Sequence, residues 1–346
     1  NFIAKKLKMQ DESVIVFGEA LIDRLGPLGG DPSSDFPVTD CFGGAPANVA
    51  CALGRLGANV SFLGSLGNDT FGENFKKLLI ERGINTSGLQ RDNLRSTRVV
   101  LVRRDQCGER FFEGFEGDKG LGFADQAISR EQVISDWPLV KKKAKWFVAG
   151  TIPLASKISS NAFLWCMEKA FNEGIKIALD LNWRPTFWRN KVSKVLEPSV
   201  KEKNEIISIL KNVSLMKLAK EEAQWFFNTS NPIEISSSLP HRPSVIVTDG
   251  SNPVSWILNN NIGKTFAIAP SSVVDTTGAG DAFTAGLIYK LISLELDQIN
   301  QQRAEEIVQF AIACGSYVCT GLGAIDAQGY LEDIDNLLSS NLGGMS

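Results

Sequence analysis

Short apolar runs that end in a polar residue or a glycine recur along this chain, and they constrain its fold more than any other feature. Val14–Phe17, Val60–Gly64, Lys145–Ala149, Ile175–Asp180 and Val245–Thr248 each have the length of one strand. Continuous apolar character marks strands buried on both faces, as in parallel sheets. Between them lie segments with helical spacing: Val49–Leu56, Glu73–Arg82, Ser156–Phe171 and a long one opening at Asp281. Leu210–Leu218 reads as a helix end followed by a strand, and Glu221 and Glu222 open another helix. This alternation predicts a Rossmann-like three-layer α/β/α fold with a mostly parallel central sheet. At 346 residues the rhythm runs from end to end, so residues 1–346 are expected to form one unit.

Two stretches break the rhythm. Residues 26–40 are rich in Gly, Pro, Ser and Asp. Thr97–Arg103 alternates as a half-buried strand, and Asp105–Gly108 turns it back into Glu109–Phe112 as a hairpin. Segments of about 24–40 and 96–122 are therefore expected to stand off the main sheet as a small β lid. Phe36, Val38, Val100 and Phe112 give that lid exposed apolar residues. A thin sheet with two faces and one substrate to cover predicts a homodimer that pairs lids. Val254–Leu258 and Lys264–Ala269 flank Asn259–Gly263 as another hairpin, a second long helix spans Ala304–Cys319, and Gly343–Ser346 is expected to be loose.

Several function classes drop out. A net charge of −3 and a pI near 5.5 give no electrostatic reason to expect a nucleic-acid partner. No apolar run approaches the ~18 residues of a membrane span, and the short basic start Asn1–Lys8 carries no signal-peptide pattern. Cys41, Cys51, Cys107, Cys166, Cys314 and Cys319 lack C-x-x-C spacing and read as buried thiols of a reducing cytoplasm. His241 is the single histidine, which removes most Ser-His, Cys-His and His-metal chemistry. Carboxylates, amides, lysines and arginines remain.

The densest candidate is Asp275-Thr-Thr277-Gly278-Ala279-Gly280-Asp281, between an apolar strand-like segment and the helical run from Ala282. Amides without partners and the positive dipole end make a helix N-terminus favour anions. Asp281 in the first turn would put a carboxylate beside that cradle. Taken alone, the run is equally a helix start with a favourable first-turn charge. Gly278-x-Gly280 is no dinucleotide fingerprint, because Phe283 holds the third glycine position; Gly263-Lys264-Thr265 is no P-loop, because Leu258 holds the leading one. Val14–Gly18 delivers Glu19 and Asp23 to the sheet edge where α/β folds bind ligands, unless Asp23 is a solvent-facing charge. Gly43-Gly44-Ala-Pro-Ala-Asn48 opens the next helix. It is either a ligand approach with Asn48 as donor and acceptor, or a tight turn and cap. Asp180-Leu-Asn182-Trp-Arg184-Pro-Thr-Phe-Trp188 follows another strand end.

Together these stretches resemble the ribokinase-like (PfkB) carbohydrate kinases, and among them the fructokinases, over nearly the whole chain. Asp275–Gly286 looks like the family's C-terminal signature, Gly43–Ala50 like its N-terminal one. Gly18–Asp23 and Asp180–Trp188 look like fructokinase pieces. The resemblance implies ATP-dependent phosphorylation of a sugar's primary hydroxyl, most simply fructose to fructose 6-phosphate. It implies Asp281 as base, kept ionised by its helix terminus, and Gly278, Ala279 and Gly280 as anion hole. Asp23, Gly43, Gly44 and Asn48 would meet the sugar, and Arg184 the substrate or γ-phosphate. Lys217, Thr248, Gly250, Ala313 and Ser316 fall on the nucleotide side, with Glu222 near a water-held Mg²⁺. Carbonyls at Asp275 and Thr277 resemble a loop for a monovalent cation such as K⁺. The chain departs from the pattern at Ala219, where relatives have Asn; at Pro253, where they have Gly; and at Ile312, where they often have Asn. Relatives use ribose, nucleosides, tagatose-phosphate or ketodeoxygluconate as acceptor. A catalytically silent scaffold is the remaining class, against which an intact Gly-Ala-Gly-Asp argues.

Overall fold

Every residue of the first strand, β1 (Ser13–Phe17), is buried. Val14 and Val16 pack into one hydrophobic core, Ile15 and Phe17 into another. Side chains alternate across a strand, so two buried faces require cover on both sides of the sheet. The computed structural model describes residues 12–106, 110–189 and 194–343.

The other strands, in chain order, are β2 (Leu21–Leu28), β3 (Thr39–Gly43), β4 (Asn59–Gly67), β5 (Asn85–Asp92), β6 (Val99–Arg104), β7 (Arg110–Glu116), β8 (Ala144–Ala149), β9 (Lys176–Asp180), β10 (Leu215–Ala219), β11 (Ser244–Asp249), β12 (Asn252–Leu258) and β13 (Asn261–Thr265). Nine form one sheet in the order β13-β12-β11-β10-β9-β8-β1-β4-β5. Pairings from β5 through β11 are parallel, and β12 and β13 close the edge as an antiparallel hairpin. This is the expected α/β architecture. Helices Ala45–Arg55, Ala279–Leu291 and Gln301–Val318 cover one face, and Arg130–Val140 and Lys157–Asn172 the other.

A second, four-stranded sheet has the order β3-β2-β6-β7, with β2 and β6 parallel and the outer pairs antiparallel. Asp23 therefore belongs to this sheet and not to the end of β1. Of the expected Asp105–Gly108 turn and the Glu109–Phe112 strand, residues 107–109 lie outside the described residues, as do Asn1–Lys8 and the last three positions. Val100 is 6% exposed, contrary to the exposed position expected, because its side of β6 faces inward. Phe36 is 82% exposed, whereas Phe112 is only half-buried and Phe111 is the more open ring on β7.

Other boundaries shift for physical reasons. The last hairpin turns on Asn259-Asn260, with Asn259 at φ +55, and β13 already contains Gly263. A Cβ there would lie 2.1 Å from the Trp256 ring, so this glycine serves packing and not the turn. Gly343 ends a helix, Leu331–Gly343, that the sequence reading passed over. Asp69 caps Thr70–Glu81 by accepting from the Gly72 amide at 2.8 Å, starting that helix three residues before Glu73.

Candidate active site

The chain leaves β1 through Gly18 (φ +147), where a Cβ would strike the Pro46 ring at 2.4 Å. Gly44 (φ +99) is the N-cap of the Ala45–Arg55 helix, and its Cβ would sit 2.7 Å from the Glu19 carbonyl. Two close approaches that only glycine allows thus bring Glu19 and the start of this helix together. Gly278 (φ +80) likewise caps Ala279–Leu291, its Cβ position 2.6 Å from that of Ala324. Asp281 is the third helical residue. Between these helix starts and the smaller sheet lies a cavity of about 570 Å³. Glu19, Asp23, Gly44, Asn48, Arg184, Lys217, Thr277 and Gly278–Asp281 all line it, with Arg110 from β7.

Asp281 Oδ2 accepts from Asn48 Nδ2 at 2.8 Å. Burial pushes this carboxyl up to about 6; Asn48, Lys217 and Arg184 pull down, while the Asp180 charge adds to the rise. The helix terminus alone was expected to keep it ionised, but desolvation outweighs that local effect and leaves an acid ionised only above mildly acidic pH. The amides of Gly280 and Asp281 meet no acceptor among the described residues. The Ala279 amide donates to the Thr276 carbonyl at 3.3 Å, which makes it the least free member of the expected hole.

Beneath this cradle Lys217 Nζ donates to both Asp180 oxygens, at 3.0 and 3.2 Å. Thr284 Oγ1 lies 3.0 Å from Asp180 Oδ2 and fixes the same carboxylate. A Cβ on Gly280 would lie 3.0 Å from Lys217 Nζ, so the ammonium stands against the cradle. Burial opposes its charge, but Asp180, Glu222 and Asp281 together raise its pKa. Arg184 is exposed and donates to the Trp183 carbonyl at 3.0 Å; it makes no ion pair among the described residues.

Asp23 rises to about 6 through burial, with Arg110 lowering it and Asp281 and Asp275 raising it. Gly43 does not line the cavity; its Cβ would fall 2.5 Å from Asp23 Oδ2, so it makes room for that carboxylate. Arg110, which sequence reasoning missed, donates from Nη2 to Asp275 Oδ2 at 2.5 Å. Asp275 also accepts from the Gly323 amide and from Thr277 Oγ1 and its amide, at 2.9, 2.7 and 3.0 Å. Burial works against this anion, but these donors hold it below its ordinary value. A cation within an alternating hairpin was the available signal for Arg110.

The residues expected on the nucleotide side do not reach the cavity wall, Lys217 excepted. Thr248 and Gly250 stand at the end of β11, Ala313 is fully buried, and Ser316 Oγ donates to the Ile268 carbonyl at 2.7 Å. Glu222 is also off the wall. Its two oxygens accept the Trp183 and Ala219 amides at 2.6 and 2.7 Å, and burial raises its pKa. No cluster of three or more His, Cys, Asp or Glu fits a resident metal among the described residues. A Mg²⁺ here would be held by nucleotide phosphates and water, with Glu222 acting only through a water. The carbonyls of Asp275 and Thr277 accept no backbone amide among the described residues, so they would suit a monovalent cation better.

Comparison with known proteins gives the chain a family. Residues 11–328 match the model of the pfkB family carbohydrate kinases. Probable fructokinase-4 of Arabidopsis thaliana is 31% identical over 339 residues, covering 96% of this chain and 98% of the relative. The chain belongs to the pfkB family of carbohydrate kinases. A fructokinase of Xylella fastidiosa solved with bound ATP superposes with TM-score 0.76 at 26% identity, over 96% of this chain and 99% of that one. A fructokinase of Vibrio cholerae solved with fructose, ADP and calcium gives TM-score 0.77 at 26% identity, over 96% and 99%.

Proposed function

We propose that this chain transfers the γ-phosphoryl of ATP to the primary hydroxyl of free fructose, giving fructose 6-phosphate. The observation that carries the reading is Asp281, held by Asn48 on the third residue of a helix whose first amides face an open cavity. In the step proposed, an Asp281 oxygen takes the hydroxyl proton as the sugar oxygen bonds to phosphorus. The bond from that phosphorus to the β–γ bridging oxygen breaks, and ADP leaves. Little covalent help is needed, so positioning and charge stabilisation do most of the work.

The amides of Gly278, Ala279 and Gly280 face the developing charge, with the cations of Lys217 and Arg184 beside them. Asp23, Gly43, Gly44 and Asn48 form the sugar side. ATP would lie beside the elements that carry Thr248, Gly250, Ala313 and Ser316, the end of β11 and the Gln301–Val318 helix, and would bring Mg²⁺ to neutralise its phosphates. K⁺ at the Asp275 and Thr277 carbonyls would steady the loop that starts the helix. Residues 1–346 act as one kinase unit with the smaller sheet as its lid, and exposed Phe36 and Phe111 support pairing of two lids in a homodimer. The five described cysteines are free, in keeping with a cytoplasmic enzyme, and no described helix is long and apolar enough to cross a membrane.

A coupled assay of ADP release tests this across fructose, ribose, ketodeoxygluconate and adenosine, with fructose expected to give the highest kcat/KM. Inert fructose beside active ribose or adenosine would end the acceptor assignment and keep the kinase. No ADP release with any acceptor would end both.

A further inference from the structure

Glu19 enters the cavity directly after the Gly18 bend, yet nothing above uses its side chain. It is 3% exposed. Oε1 accepts from the Ala45 amide at 3.2 Å, while Oε2 is buried and without a partner among the described residues. A buried polar atom left unpaired is rare, and at a cavity wall it marks a place for a ligand group. Because Oε1 receives an N–H, any proton on this carboxyl belongs on Oε2.

The charged groups that face Glu19 are carboxylates. Asp281 comes from the Ala279–Leu291 helix, and Asp125 from the short turn Ala124–Ala127. Arg98 holds Asp125 through two bonds, at 2.9 and 3.0 Å, whereas Asp281 makes no ion pair among the described residues. Lys217 and Arg184 act on Asp281, and Arg110 on Asp23 and Asp275. Burial, then these two carboxylates, push Glu19 up to about 8, against the pull of its own amide and that of Ala45. Two acids in one cavity are thus driven apart, so that near neutral pH one is a base and the other keeps its proton.

We propose that Glu19 is a substrate-binding residue that meets the acceptor as a carboxylic acid, donating a hydrogen bond from Oε2 to a non-reacting oxygen of the sugar. This rests on the cavity being a sugar site. A neutral donor suits a polyol, whose hydroxyl oxygens accept readily. It also adds no second negative charge beside the hydroxyl that Asp281 must deprotonate. An acceptor without an oxygen at that point would leave the acid unpaired and be bound less well.

The test measures fructose KM and ATP KM from pH 6.5 to 9.5 in the wild type, Glu19→Gln and Glu19→Ala. Only the protonated fraction binds, so wild-type fructose KM should rise about 30-fold between pH 7 and 9.5, with ATP KM nearly flat. Gln supplies a permanent neutral donor, so its fructose KM should stay within about threefold of wild type at pH 7 and show no alkaline rise. Ala should raise fructose KM at least about tenfold at pH 7. A Gln variant as poor as the Ala variant would show that the anion is needed, and an alkaline rise that survives in Gln would place the titration elsewhere. Either outcome overturns the proposal, as does wild-type fructose affinity in the Ala variant. A flat wild-type profile refutes it without any variant. If the wild type phosphorylates no sugar at any pH, the functional reading has failed instead.

Discussion

The two ends of the proposed cleft are built in different ways. At the sugar end Glu19, Asp23, Asn48 and Asp281 are side chains gathered on one cavity, and Asn48 and Asp281 are joined directly. At the nucleotide end, Lys217 apart, the matched residues are a strand terminus, a fully buried alanine and a serine already bonded to Ile268, and none of these reaches the cavity wall. The chain's departures from the family pattern, Ala219, Pro253 and Ile312, also fall at that end. Chemistry that needs a base and an anion hole tolerates little change, whereas a nucleotide held by backbone and apolar surface leaves side chains freer to vary. Substitution should therefore hurt far more at the sugar end.

The contrast is widest between two glycines. Gly278→Val must hold φ +80 and press a Cβ against Ala324, displacing the helix start, and kcat should fall at least ~10²-fold. Gly250 has φ +55 but open space around it. Gly250→Ala should cost about 1–2 kcal/mol of strain and change turnover little. Equal damage at both sites, measured by steady-state rate and thermal melting, would break the comparison. Arg110→Leu removes the bond from β7 to Asp275 and should raise fructose KM about tenfold, about 1.4 kcal/mol, with ATP KM nearly unchanged.

Acid gives a second handle on the sugar end alone. Asp281 and Asp23 are both raised to about 6, and the proposed base works only when ionised. The rate should climb as pH rises through about 6 and fall roughly tenfold per unit below it, while nucleotide binding stays flat over the same range. A rate unchanged down to pH 5 would deny Asp281 its role. The smallest effect is expected for Ser316→Ala, which loses one partly buried hydrogen bond worth about 1 kcal/mol of stability and leaves kcat within about twofold.

What could be read from the sequence was what is local. Apolar runs such as Val14–Phe17 announce buried parallel strands, and the glycines before Asp281 announce a helix start, because each pattern spans a few residues. The strand Asn85–Asp92 went unseen because its opening Asn-Thr-Ser-Gly is polar, and Arg130–Val140 because Pro138 interrupts its pattern. Arg110 and Asp275 are 165 residues apart, and Asn48 and Asp281 are 233 apart. Only the assembled fold brings such partners together. Desolvation is equally a property of the fold, which is why a helix dipole argument placed Asp281 too low. Glu19 was visible at its strand end, but its unpaired oxygen was not.

Asp281→Asn bears most directly on the account, because Asn keeps the size and can still hydrogen-bond a sugar hydroxyl but cannot accept its proton. With fructose and ATP affinities measured by calorimetry beside steady-state turnover, kcat should fall at least ~10²-fold while both dissociation constants stay within about threefold. The melting temperature should move by only a few degrees, because Asn keeps the size and can still accept from Asn48. Near-normal turnover in this variant would contradict the assignment of Asp281 as the base.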